Sequence, residues 1–269
     1  MTKKIRDLMH PGVIICRSDD SLGEVAVLLT QNHVHALIVT DLQGRHLGII
    51  TDYDLLAGEW LSVDEESLAA MQKLTATDLM SYPLDTVDQD VTVQEAAKII
   101  NDKEVNRLVV TENGTPVGII SISDFVASLA SEEKPQRNIV ADVMSDAILV
   151  CRGKTPLISA ARTMTQAGWR SVLVVDSKGK TLGVVSGKDL MPFIEKGIDQ
   201  KLTVADVMHP ALTISMNASL REAANLMIQN HHHRLIVIDH NDPQAFPLGI
   251  ISSFDIVAEM ANPSSVWQK

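Results

Sequence analysis

Apolar positions along this chain alternate between two periods. In Leu22-Gly-Glu-Val-Ala-Val-Leu-Leu29 the aliphatic residues recur at helical spacing, forming one stripe on a cylinder of about 3.6 residues per turn. The next apolar segment, Ala36-Leu-Ile-Val39, is a short continuous run, and after a turn containing Asp and Gly a second run follows, Leu47-Gly-Ile-Ile50. Two such runs joined by such a turn predict a hairpin. An extended piece, Val13-Ile14-Ile15, precedes the helix, and a Ser or Thr after the hairpin opens a final helix. The predicted order is β-α-β-β-α, with helices covering one face of a small sheet, in the α/β (α+β) class.

The same order is written four times. Asp-aliphatic-Met occurs at Asp7-Leu8-Met9, Asp78-Leu79-Met80, Asp142-Val143-Met144 and Asp206-Val207-Met208. About 40 residues after each comes Gly-aliphatic-aliphatic-Ser/Thr-x-x-Asp: Gly48 to Asp54, Gly118 to Asp124, Gly183 to Asp189 and Gly249 to Asp255. A period of 64 to 71 residues suits a small domain duplicated in tandem. Repeats one and three superpose without a gap at an offset of 135 residues, Cys16-Arg17 falling on Cys151-Arg152, whereas repeats two and four need small insertions. A two-repeat module copied once is the simplest origin. The expected division is residues 1–133, with repeats at about 3–62 and 74–130, and residues 134–269, with repeats at about 138–196 and 202–261. The seam falls in the polar stretch from Ser131 to Asn138, and the run from Gly58 to Lys73 reads as a connecting helix inside the first module.

Composition narrows the chemistry. Apolar residues are 45% of the chain but aromatics only 3%, so the core is expected to be aliphatic, with 11 methionines helping to fill it; Met9, Met80, Met144 and Met208 share one repeat slot. Twenty-three basic against 34 acidic residues leave a net charge of −11, which disfavours nucleic-acid backbones and anionic membranes yet permits a local basic pocket. Cys16 and Cys151 are too few for a disulfide framework or a Cys-rich zinc site, and no run approaches the ~18 apolar residues of a membrane helix. A soluble, cytoplasmic protein is expected.

The repeated Ser/Thr-x-x-Asp phrase supports two readings. As a capping box, Thr51 with Asp54, Ser121 with Asp124, Ser186 with Asp189 and Ser252 with Asp255 would each satisfy the free N–H groups that open a helix. As a ligand site, the same helix start favours an anion, the carboxylate offers acceptors to a ribose diol, and the motif Gly lets a ligand approach the backbone. Just before each buried strand sits a polar or basic pair: His35-Ala36, Asn106-Arg107, Arg170-Ser171 and His233-Arg234. These could reach phosphate oxygens, Arg by a bidentate fork, or simply end a strand in solvent.

Other motifs carry less. His231-His232-His233 and His33-x-His35 lack the companion Cys or acid that would complete a tetrahedral metal set. Gly153-Lys-Thr155 and Gly179-Lys-Thr181 imitate a P-loop ending, but Ile148 and Val174 stand where its first glycine belongs. Neither cysteine has a histidine placed by sequence to activate it, and no catalytic constellation is expected.

Four copies of Asp-aliphatic-Met and of Gly-h-h-Ser/Thr-x-x-Asp in register, where h is aliphatic, over about residues 3 to 261, resemble the CBS-domain family, arranged as two paired (Bateman) modules. The resemblance implies clefts between paired repeats that bind adenosine-type ligands: AMP, ADP or ATP, and in some members NAD or S-adenosylmethionine. It implies that Asp54, Asp124, Asp189 and Asp255 hold ribose. The motif hydroxyls are Thr51, Ser121, Ser186 and Ser252, and the basic slot maps to His35, Arg107, Arg170, His233 and Arg234. Repeat two, with Arg107, Ser121, Ser123 and Asp124, and repeat four, with His233, Arg234, Ser252 and Asp255, are the fullest sets. Repeat three keeps Arg170 and Lys188; repeat one has Ala36 after His35, and Asp52 adds a repelling charge. The implied protein is a stand-alone regulator, not an enzyme, with no obligatory cofactor and an adenine nucleotide as its regulatory ligand. It would signal to an unidentified effector protein, its modules packing within one chain as a disc or across a homodimer. The alternative is a scaffold whose clefts bind nothing.

Overall fold

The computed structural model describes residues 3–59, 73–131, 138–190, 201–239 and 246–262. The expected connecting helix and seam fall mainly on 60–72 and 132–137, outside the described residues. Repeat one runs as strand Ile15–Arg17, helix Leu22–Gln31, strands Ala36–Thr40 and His46–Thr51, and helix Asp52–Glu59. The same five elements recur in repeats two, three and four, which confirms the β-α-β-β-α reading. In each sheet the middle strand lies parallel to the first and antiparallel to the third, as in Ile38 opposite Ile15 and Ile49. All five residues of Ala36–Thr40 and of Ser171–Val175 are buried, which is why these strands are continuous aliphatic runs.

Helix ends follow local chemistry. Ser21, Thr92 and Ser219 accept from the backbone N–H of Glu24, Glu95 and Glu222, whose carboxylates reach back to the cap. Those three helices are followed or capped by His33, Glu104 and His231 in the left-handed conformation, at φ 53°, 54° and 55°, where repeat three uses Gly168. His33 and His231 therefore turn the chain out of a helix.

The Asp-aliphatic-Met phrase behaves differently from its place in the sequence. It opens one repeat but crosses onto the sheet of its neighbour. His10–Pro11 pairs antiparallel with Thr115–Ser121 of repeat two, and Ser81 bridges back to Ile49 of repeat one. In the second half, Ser145 bridges Ile250 and His209 bridges Val184. The motif glycines sit beneath these crossings. A Cβ on Gly48, Gly118 or Gly249 would lie 2.5 Å from the carbonyl oxygen of Ser81, His10 or Ser145, and one on Gly183 would lie 2.6 Å from that of His209. The close approach expected of a ligand is thus made by the protein's own backbone, which corrects the reading of these glycines. Met9, Met80, Met144 and Met208 close over the same four glycines.

Repeats two and four are joined through their helices. Val93–Lys103 packs against Ser253–Ala261, and Leu220–Asn230 against Ile122–Ala130, in one core that includes Phe125, Ile256 and Met260. Ala96, Ala97, Ala223 and Ala224, all fully buried, let the helices approach closely. Repeats one and three keep separate small cores.

Candidate ligand-binding site

All four Ser/Thr-x-x-Asp phrases form the capping box. Asp54 Oδ2 accepts from the Thr51 N–H at 2.8 Å and its hydroxyl at 2.7 Å; Asp124 Oδ2 accepts from Ser121 at 2.7 and 2.8 Å. Asp189 does the same with Ser186, both at 2.7 Å, and Asp255 with Ser252 at 2.7 and 2.6 Å. These bonds aim each helix start and leave one carboxylate oxygen, Oδ1, outside the box. Ser123 lies on the first turn of the same helix as Asp124.

The basic slots converge on one another. Arg107 donates from Nη1 to the carbonyl of His35, 2.6 Å away in the neighbouring repeat. Arg170 of repeat three stacks over the Tyr53 ring of repeat one, 4.8 Å from its centroid, and feels the charges of Asp52 and Asp54. Arg234 feels Arg170 and Asp255, and His233 feels Arg170, Arg234 and His35. Side chains from four repeats therefore share one electrostatic field.

Burial shapes the charges in that field. It pushes Arg234 down to about 10, helped by the neighbouring positive Arg170 and opposed by Asp255. Burial likewise lowers Arg107 and Arg170, against the pull of nearby carboxylates. His233 is lowered by burial first, then by Arg170 and Arg234. Asp54 is raised, because burial outweighs its bonds to Thr51. For Asp52, burial works against the charge, but a 2.7 Å bond to His35 Nδ1, the charge of Arg107 and the Tyr53 N–H prevail and hold it low. Asp52 is thus a built-in counter-ion as well as a repelling charge. A half-buried cation cluster of this kind favours an incoming anion, since phosphate oxygens would relieve the mutual repulsion of its arginines.

A protein-family comparison matches the description "CBS domain" at residues 5–59, 76–131, 140–196 and 204–262. The chain belongs to the CBS-domain family. This CBS chain is 28% identical over 210 residues to protein MJ1404 of Methanocaldococcus jannaschii, covering 71% of this chain and 47% of that one. It is 30% identical over 126 residues to protein MK0525 of Methanopyrus kandleri, covering 45% of this chain and 60% of that one, so it spans roughly half the length of these relatives. Two solved structures share the CBS fold over nearly the whole length. Protein MJ1225 of Methanocaldococcus jannaschii has a TM-score of 0.80 at 17% identity, covering 95% of this chain and 99% of that one. A conserved protein of Pyrococcus horikoshii has a TM-score of 0.70 at 20% identity, covering 96% and 100%.

Within the CBS repeats, the structure adds residues that the sequence did not flag. Tyr53 has no signal in its own repeat, because its partner Arg170 lies in another. His10 Nε2 stands 2.9 Å from Asp124 Oδ1, and His209 Nε2 stands 3.1 Å from Asp189 Oδ2. Their signal was available, since the residue after Asp-aliphatic-Met is His in repeats one and four and Ser in repeats two and three. Cys16 and Cys151 lie on equivalent strands, as expected; burial raises both thiols, Cys16 to about 11, which leaves them poor nucleophiles. Among the described residues no helix is long and apolar enough to cross a membrane.

Proposed function

We propose that this CBS-domain protein is a cytoplasmic regulator that binds adenosine-type ligands, AMP, ADP or ATP, in clefts between paired repeats. The two pairs are repeats one with two and three with four, at the boundaries given above, packed within one chain as a disc. Ribose is held by Asp54, Asp124, Asp189 and Asp255, with Thr51, Ser121, Ser123, Ser186 and Ser252 serving the sugar or phosphate. Phosphate oxygens meet His35, Arg107, Arg170, His233 and Arg234. Occupancy shifts the relative pose of the repeats, and an effector protein reads that shift. The observation that carries this reading is the gathering of half-buried arginines from three repeats beside the motif aspartates.

Calorimetry with AMP and with adenosine tests the proposal. Arg234→Ala is expected to weaken AMP by roughly 10- to 100-fold, the affinity equivalent of a charge-assisted hydrogen bond, and to leave adenosine within about twofold. Equal effects on both ligands would contradict a phosphate role. The closed capping boxes favour one second reading, a scaffold that binds nothing. Asp255→Ala separates the two, costing only the ~0.5–2 kcal/mol of a lost cap in a scaffold and abolishing a binding site in a sensor.

His233 gives a pH test that needs no ligand. Its folded value is depressed, so as pH falls below the ordinary imidazole value of about 6.5 the unfolded chain takes up a proton that the folded chain resists. Stability is therefore lost on acidification from pH 7 towards pH 5, and His233→Gln should lessen that loss. Identical melting-temperature slopes for the two proteins would contradict the depressed, arginine-flanked imidazole.

A further inference from the structure

The four clefts are not equivalent, and the difference lies in the segments that cross between repeats. Each crossing is fixed by backbone bonds. Gly12 N–H donates to Val117 O at 2.8 Å beside His10, and Val184 N–H donates to His209 O at 2.9 Å. Ser81 exchanges bonds with Ile49, and Ser145 with Ile250, in the same way. The crossing residue therefore stands at one position in all four repeats, and only its side chain differs. In two clefts it is a histidine that reaches the motif aspartate, at Asp124 and at Asp189. In the other two it is Ser81 or Ser145, exposed and shorter than a histidine.

At Asp124 the contact falls where a sugar would. Asp124 Oδ2 is already taken by the N–H and hydroxyl of Ser121, so Oδ1 is the oxygen left for a ligand hydroxyl, and His10 stands on it. His10 is 81% exposed while Asp124 is 11% exposed, so the ring can swing into solvent without disturbing the carboxylate. His209 is more enclosed, at 26%, with its ring against His232 at 5.1 Å between centroids. Its Nε2 stands on Oδ2 of Asp189, the oxygen already held by Ser186, so Oδ1 of that carboxylate stays open.

We infer that His10 is a latch on the Asp124 cleft, which a ribose must displace, so that this cleft fills after those whose aspartate Oδ1 stays open. This rests on the adenosine reading above. The anchoring backbone bonds let the latch open by a side-chain rotation alone. One chain would thus carry two affinity classes for one ligand, set by a residue outside the repeated Gly-h-h-Ser/Thr-x-x-Asp phrase.

The test is calorimetry with AMP on the full chain, comparing wild type with His10→Ser and, as the contrast, His209→Ser, each placing the serine found in the other repeats. The weaker class of sites should tighten about two- to fivefold in His10→Ser, the affinity equivalent of an exposed side-chain contact, and stay at the wild-type value in His209→Ser. Unchanged or weaker AMP binding in His10→Ser, with AMP binding in the wild type, overturns the latch and leaves the adenosine reading standing. No AMP binding by the wild type or by any variant overturns both.

Discussion

Phe125→Ala is expected to cost about 3–5 kcal/mol and to lower the melting temperature by roughly 6–20 °C. Phe125 is fully buried on the helix Ile122–Ala130, in the core that repeats two and four share. Its removal leaves a cavity between helices from different halves of the chain, and the alanines around it cannot collapse to fill the space. Both halves should therefore lose stability from one substitution. Thermal unfolding checks this, with Leu42→Ala, at a site 68% exposed, expected to stay within about 0.5 kcal/mol of wild type. A Phe125→Ala cost below ~1 kcal/mol would mean that the helices of repeats two and four do not form a common core.

Gly118→Ala should cost roughly 1–3 kcal/mol, from overpacking against backbone rather than from a change of conformation. The new Cβ would lie 2.5 Å from the His10 carbonyl oxygen and 3.0 Å from Met9 Sδ. The sulfur can move, but the carbonyl belongs to the pairing of His10 with Ile119, so the crossing segment must lift. Amide exchange at Gly12, whose N–H bonds Val117 O, should change from protected to fast. Gly23→Ala is the contrast. Gly23 lies inside the helix Leu22–Gln31 with its nearest outside atom 4.0 Å away, and the substitution should stabilise by about 0.5–1 kcal/mol. Equal effects at the two positions would contradict the crossing.

What the sequence disclosed divides along a physical line. Elements governed by neighbours in the chain were legible: the helical stripe of Leu22–Leu29, the buried strand Ala36–Val39, and the Ser/Thr-x-x-Asp caps all depend on contacts within a few residues. Contacts between repeats were not. Nothing in Asp-aliphatic-Met says that it will leave its own repeat for the next sheet, because the backbone bonds that fix it carry no side-chain pattern. The motif glycines looked like ligand approaches for the same reason, their partner being a carbonyl distant in sequence. His33, Glu104 and His231 hide helix ends, since glycine is the usual residue at a left-handed position. Of the candidate site, the aspartates and basic slots were legible from recurrence, and His10 and His209 stood in a recurring slot, whereas Tyr53 under Arg170 required three dimensions.

The most direct test of adenosine binding is a titration of the protein, first shown free of co-purified nucleotide, with AMP, ADP and ATP, followed by thermal shift and calorimetry. A ligand at 100 times its dissociation constant should stabilise the fold by ~2.7 kcal/mol per site, with whole-number stoichiometry. No heat and no shift with any of the three nucleotides would contradict the account and leave the capping boxes as structure alone.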